Sequence, residues 1–218
     1  MDGEIAHDIA CLERAVSELV WIRIQRDKFK ILLEDEENRR ILSSAASQFF
    51  YEFNIMMIHD INLTIARLTD PYDSKNRNLS LEYFLKSKNI KRKEELDAIY
   101  KKICGFRDKI KKGRNKIISH NDIQTLLCEK TYAQFEIGED LECIDNIGKF
   151  LNIVSEDLKG ETFGDICTSC SGDANDLLKI LKYGLEVKKM WNSSNDELKE
   201  IAKCIITNVL TGKQSSPT

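Results

Sequence analysis

The chain has 218 residues, 42% of them apolar and 32% charged, with a formal net charge of −3. That balance excludes a disordered chain and fits amphipathic helices around a core. It also excludes a general electrostatic pull on nucleic acid, so any RNA contact has to be local. The two prolines, Pro71 and Pro217, leave nearly the whole length open to helix. Seven cysteines lie scattered along the chain, at 11, 104, 128, 143, 167, 170 and 204. An odd, scattered set points to reduced thiols and a cytoplasmic protein. The acidic N-terminus lacks the apolar centre of a secretory signal, and no apolar run approaches a membrane span.

Ile5, Ile9, Leu12, Val16 and Leu19 recur at steps of four and three. This predicts a long first helix, to about Asp35, with a coiled-coil-like face. A second long helix is expected from about Glu37 to Thr69, with Leu42, Ala45, Phe49, Phe53, Met56 and Leu63 as its apolar face. The acidic run "EDEENRR" (34–40) reads as a solvated junction between the two. Pro71 ends the second helix, because proline disfavours helix in the residue before it.

Leu79 to Leu85 predicts a short helix capped by Asn78 or Ser80. A further helix is expected from about Lys91 to Ser119, with Gly113 inside it. Residues 121–138 carry a weaker helical signal, and "KTYAQFEIGED" is compatible with extended chain. Helices over about Asp140–Leu158, Ala174–Trp191 and Asn195–Leu210 complete the set, with "GETFGDICTSCSGD" (160–173) as a loop. The expected fold is all-α, a helical bundle with long antiparallel helices. Residues 1–160 form its core, 161–211 add a C-terminal hairpin packed on the same domain, and the tail 212–218 is expected to be disordered.

On a helical wheel the fourth helix has one apolar arc, made by Leu96, Ile99, Ile103, Phe106, Ile110 and Ile117. Arg107, Arg114 and Asn121, spaced seven apart, fall inside it, while Lys109, Lys112 and Lys116 fall outside. Arg107 has the reach to snorkel. Arg114 is flanked along the helix by Ile110 and Ile117. On the second helix Asp60 sits inside the expected arc, with Arg67 two turns on. A buried charge must be paired or line a polar cavity. One reading is a structural pair, Asp60–Arg114 or Asp60–Arg67, that fixes helix register. The other is a cleft that exposes charge on purpose. His120 lies at the edge of the same arc, about 9 Å along the axis from Arg114 in a regular helix.

Arginine and histidine without a metal cluster suit cleavage of RNA by its own 2′-hydroxyl. Histidine moves a proton near neutral pH, and guanidinium stabilises charge growing on a phosphoryl group. Asn115 is placed to orient the phosphate or the histidine. Lys109, Lys111, Lys112 and Lys116 would attract the RNA backbone whatever its sequence. One histidine cannot easily act as both base and acid, which makes a homodimer part of the expectation. No metal or other cofactor is called for.

The stretch "RNKIISH" (114–120) resembles the signature of the HEPN superfamily, an arginine with a polar neighbour and a histidine four to six positions on. The wider chain is similar to the abortive-infection U-type (AbiU-like) branch. The resemblance rests on "HDINLTIARLTDP" (59–71), "NLSLEYFL" (78–85), "RNKIISHND" (114–122) and "SGDANDLLKIL" (171–181). It implies an all-α, usually dimeric domain. It further implies a metal-independent endoribonuclease in a toxin–antitoxin, abortive-infection or other defence system, with an antitoxin protein as a possible partner. Arg114 and His120 match the family's catalytic pair and Asn115 the polar residue beside the arginine. Asp60, Ser119 and Asp122 are candidate supporting groups. Family members regulated by adenylylation often carry a tyrosine two residues after the histidine. Asp122 occupies that position here, which argues against that control. Some relatives have lost nuclease activity. The alternative function is therefore a non-catalytic binding or regulatory module with Arg114 as a structural ion-pair residue.

Two other signals carry less. Cys167 and Cys170 form a single C-x-x-C without a second pair at zinc spacing. Trp21 and Trp191 read as core or interface anchors.

Overall fold

Long stretches without proline become long helices. A computed structural model of the chain describes residues 3–73, 75, 77–113, 136, 138–164, 166, 168 and 170–211, with the backbone alone at 112 and 113. These residues contain seven α-helices and no strand. They are α1 (Gly3–Phe29), α2 (Glu36–Thr69), α3 (Leu81–Lys86), α4 (Lys93–Gly113), α5 (Glu139–Lys159), α6 (Ala174–Trp191) and α7 (Asp196–Thr211). Each expected helix has its counterpart among the described residues, and the expected last turn of the fourth, residues 114–119, lies outside them.

The junction between the first two helices is a π-helical turn, Lys30–Glu34, followed by extended Asp35. Asp35 then caps α2, its carboxylate accepting from the Asn38 backbone N–H at 2.8 Å. This satisfies one of the donors that every helix start leaves unpaired. Asp173 caps α6 in the same way, accepting from the N–H groups of Asn175 and Asp176. Helix α5 stops at Gly160, whose φ of 79° suits a left-handed C-terminal residue.

The chain divides into two units. The first comprises Met1–Asp27 and Ile55–Thr168. In it α1 runs antiparallel to the second half of α2, since Glu18 pairs with Arg67 and Trp21 bonds Asp60. Helix α1 is also antiparallel to α5, through Glu13–Lys159, Arg23–Asp145 and Arg26–Asp140. Helix α4 pairs antiparallel with α5 through Arg92–Asp157 and Lys109–Glu139. Leu12, Leu19, Ile65, Phe84, Ile103 and Phe150 are among the side chains sealed from solvent in this core.

The second unit comprises Lys28–Asn54 and Ser169–Thr218. Its core gathers Leu32, Leu42, Phe50, Ala174 and Leu178, and Lys182 pairs with Glu37 at its edge. Helices α6 and α7 pack together, with Ala202 buried. Ile180, Tyr183, Val209 and Leu210 stay exposed.

Two apolar faces differ from expectation. On α2 the expected positions Phe49 and Met56 are 59% and 58% exposed, while Phe50 and Met57 are 8% and 4% exposed. The cause is a break in the helix at Ala46, where φ is −160° and ψ is 76°. It shifts the phase, so the buried stripe continues as Phe50, Met57, Ile61, Ile65 and Leu68, one residue later than regular periodicity gives. On α1 the buried row is Asp8, Leu12, Ala15, Leu19, Ile22 and Arg26. Its two ends are charged, so hydropathy does not reveal them.

Candidate functional site

Helix α4 carries the basic stretch and leads into the motif. Its buried face holds Leu96, Ile103, Phe106 and Ile110, as the wheel expects. Lys109 and Lys111 are exposed on its outer side. Lys109 is held by Glu139 at the start of α5, and that hydrogen bond keeps the Glu139 carboxyl below its usual range. Lys112 lies on the last described turn. Arg114, Asn115, Lys116, Ser119, His120 and Asp122 lie outside the described residues.

Arg107 has a role that the wheel only hints at. Its Nη1 donates to the carbonyl of Thr69, the last residue of α2, at 3.2 Å. The Tyr100 hydroxyl, one heptad earlier, approaches the same oxygen at 3.5 Å. A helix C-terminus bears unsatisfied carbonyls and partial negative charge, which a guanidinium answers well. Burial works against the Arg107 charge, but the Asp108 carboxylate, 3.0 Å away, outweighs it and holds the guanidinium above its usual range. The row Tyr100–Arg107 therefore ties α4 to the end of α2, just before Pro71.

Asp60 and Arg67 do not realise the expected pair. Asp60 Oδ2 accepts from the Trp21 indole N–H at 2.8 Å. Arg67 is exposed and donates to Glu18 and to the Thr64 hydroxyl, at 3.2 and 3.0 Å. The shifted stripe explains this. Asp60 stands at the edge of the buried face beside α1, where an indole donor from the neighbouring helix is within reach. The Asp60–Arg114 alternative falls outside the described residues.

Among the described residues, two thiols of this unit are held protonated. Burial pushes Cys104 up, and it pushes Cys143 up to about 12. Neither supplies a thiolate nucleophile. Cys167, half of the C-x-x-C, lies outside the described residues.

A HEPN family model described as AbiU2 matches residues 9–177. The chain belongs to the AbiU2 family of HEPN domains. The AbiU2 match takes in α1 from residue 9, all of α2 through α5 and the start of α6, and it contains the whole of "RNKIISHND" (114–122). The family suggests a defence module of the abortive-infection type. No curated protein and no solved structure matches the chain. No helix of an AbiU2 chain such as this one, among the described residues, is long and apolar enough to cross a membrane.

Sequence reasoning missed a second polar centre in the first unit. Asp8, on α1, accepts from the hydroxyls of Tyr83 and Ser87 and from the Asn89 amide. Burial raises its carboxyl, but the three donors together outweigh burial and leave it below its usual range. The available signal was its phase, because Asp8 stands four residues before Leu12 on the buried row.

Proposed function

We propose that this AbiU2-family chain is a metal-independent endoribonuclease of a bacterial defence or toxin–antitoxin system, active as a homodimer. The observation that carries the reading is the placement of Arg114, Asn115 and His120 inside the family match, directly after the basic end of α4. His120 takes the proton of an RNA 2′-hydroxyl, and that oxygen attacks the adjacent phosphorus. Arg114 stabilises the charge that builds on the phosphorane oxygens. The 5′-oxygen leaves with a proton from the second subunit's histidine, giving a 2′,3′-cyclic phosphate and a 5′-hydroxyl. Asn115 positions the phosphate, with Ser119 and Asp122 in support. Asp60, bonded to the Trp21 indole N–H, is a further candidate supporting group. Lys111, Lys112 and Lys116 draw in the RNA backbone, joined by Lys109 when RNA displaces Glu139.

The test compares wild type, Arg114→Ala and His120→Ala on end-labelled RNA in EDTA. Wild type should cleave, and each variant should lose at least 100-fold in rate. Equal cleavage by all three removes the catalytic assignment. A melt of Arg114→Ala separates the structural alternative, because stranding a buried partner would cost about 3–5 kcal/mol. An arginine kept for phosphate should cost little.

A further inference from the structure

The two C-terminal helices leave open an apolar surface that the second unit does not cover. Nine of the fourteen large apolar side chains that stay exposed among the described residues lie on α6 and α7. Single exposed leucines need no explanation, but such a concentration marks an interaction surface. The ribonuclease reading does not use it. The AbiU2 match ends at residue 177, before most of α6 and all of α7.

Helix α6 has two apolar arcs. Ala174, Leu178 and Leu181 pack into the core of the unit with Leu32 and Leu42. The second arc is Leu177, Ile180, Gly184, Val187 and Trp191, at steps of three, four, three and four. That is the period of a seam between two helices. Ile180 is 67% exposed and Trp191 50%, so no helix of the described residues fills the seam. Gly184, at its centre, is exposed, and a Cβ built there meets nothing within 4 Å. A glycine inside a helix costs stability, and no contact within the chain requires this one. Close approach of a second backbone from outside would require it.

The seam is nearly symmetric about that glycine. Leu177 and Trp191 stand seven residues from Gly184 on either side, and Ile180 and Val187 stand four and three away. Two copies of α6 laid antiparallel about Gly184 therefore set Leu177 against Trp191 of the partner subunit, and Ile180 against Val187 of the partner subunit. The same arrangement brings the acidic first turn of one helix, with Asp176, towards the basic last turn of the other, with Lys188 and Lys189. A two-fold contact of this kind uses the same patch on both copies and closes with two. The exposed apolar side chains of α6 and α7 offer several hundred Å² per copy, the order of the ~800 Å² per partner found in stable complexes. An RNA backbone would need cations, and the seam holds none. A bilayer would be served by leucine at 184 better than by glycine.

We propose that two copies of this chain pair through α6, antiparallel about Gly184, with α7 widening the contact. This gives the homodimer of the ribonuclease reading a contact outside the Arg114–His120 stretch. It also stands without that reading, since the pair forms whether or not it cuts RNA.

Sedimentation velocity of the full chain over a dilution series tests the pairing. Wild type should associate, and Ile180→Glu should weaken that association about 30-fold or more. Asn175→Glu, exposed on the opposite side of α6, should leave it unchanged. A melt of each variant guards against misfolding, and Ile180→Ala replaces Ile180→Glu should the latter not fold. Gly184→Cys, oxidised with glutathione disulfide, should give a covalent dimer faster than wild type or Asn175→Cys, because equivalent residues on a two-fold axis come within disulfide reach. Wild type that stays monomeric throughout overturns the pairing, and its flotation with phosphatidylcholine–phosphatidylglycerol vesicles would assign the surface to a membrane instead. A folded Ile180→Glu chain that associates as wild type does, or a Gly184→Cys chain that links no faster than wild type, overturns it as well. The EDTA cleavage assay on Arg114→Ala and His120→Ala reads the ribonuclease assignment separately, so either idea can fail alone.

Discussion

Asp8 is a carboxylate with only 2% of its surface exposed, and it is tolerated there because three donors converge on it. Those donors come from Tyr83, Ser87 and Asn89, so one α1 side chain fixes both α3 and the turn after it. A buried polar group costs free energy unless it is bonded, and bonds to a charged acceptor are stronger than neutral ones. Asp8→Asn keeps the shape, removes the charge and turns one acceptor into a donor facing other donors. It should lower stability by about 2 kcal/mol in urea denaturation. A variant as stable as wild type would show that the cluster contributes nothing net. At this scale part of the candidate site was legible. The motif Arg114–His120 is readable as residue types at a spacing, and so is Arg107 as a charge inside an apolar arc. Their partners were not, because hydropathy identifies which side of a helix is buried and not which backbone carbonyl waits there. Thr69 O for Arg107 and the Trp21 indole for Asp60 both come from other helices.

The helices were legible because helix start and stop signals are local. Asp35, Asp173 and Gly160 act where the sequence places them, and the scarcity of proline lets the helices run. The face of α2 was misread because periodicity assumes an unbroken helix. The irregular backbone at Ala46 moves every later side chain by one step, so Phe49 and Met56 exchange places with Phe50 and Met57. No proline or glycine marks that break. Helix α4 offers the opposite case, where the wheel holds and a glycine sits in its interior. Gly105 is exposed, and a Cβ built there meets nothing within 4 Å. Replacing it removes backbone freedom from the unfolded chain without a clash. Gly105→Ala should stabilise the protein by about 1 kcal/mol in thermal or urea denaturation. A destabilised variant would mean that the outer face of α4 is covered in solution, as a dimer contact there would require.

The first unit is joined by carboxylates that work at separate helix contacts, and this gives the molecule a definite response to acid. Asp157 on α5 accepts from the backbone N–H groups of Lys91 and Arg92 and from the Arg92 guanidinium, at 2.8, 3.1 and 3.0 Å. Burial raises its carboxyl, and these donors together bring it below its usual range. Glu82 follows the same pattern, burial opposed by Lys86 and the Tyr72 N–H, with a net lowering. Together with Asp8 they hold α1 to α3, α4 to α5, and the Tyr72 backbone to α3. Each folded carboxyl binds its proton less readily than the unfolded one, so stability rises with pH through the titration window. The contribution is fully present above the unfolded values, near 4, and is lost as pH falls through the lower folded values. Loss at one contact exposes apolar surface at the next, because the helices share one core. The midpoint of a helical circular-dichroism melt should therefore stay nearly level from pH 7 to about 5 and fall steeply below about 4. A chain carrying both Asp8→Asn and Asp157→Asn should start lower at pH 7 and fall less steeply in acid, since two of the groups that titrate have been removed. Parallel curves for the two proteins would place the acid sensitivity elsewhere and remove these carboxylates as the joints of the unit.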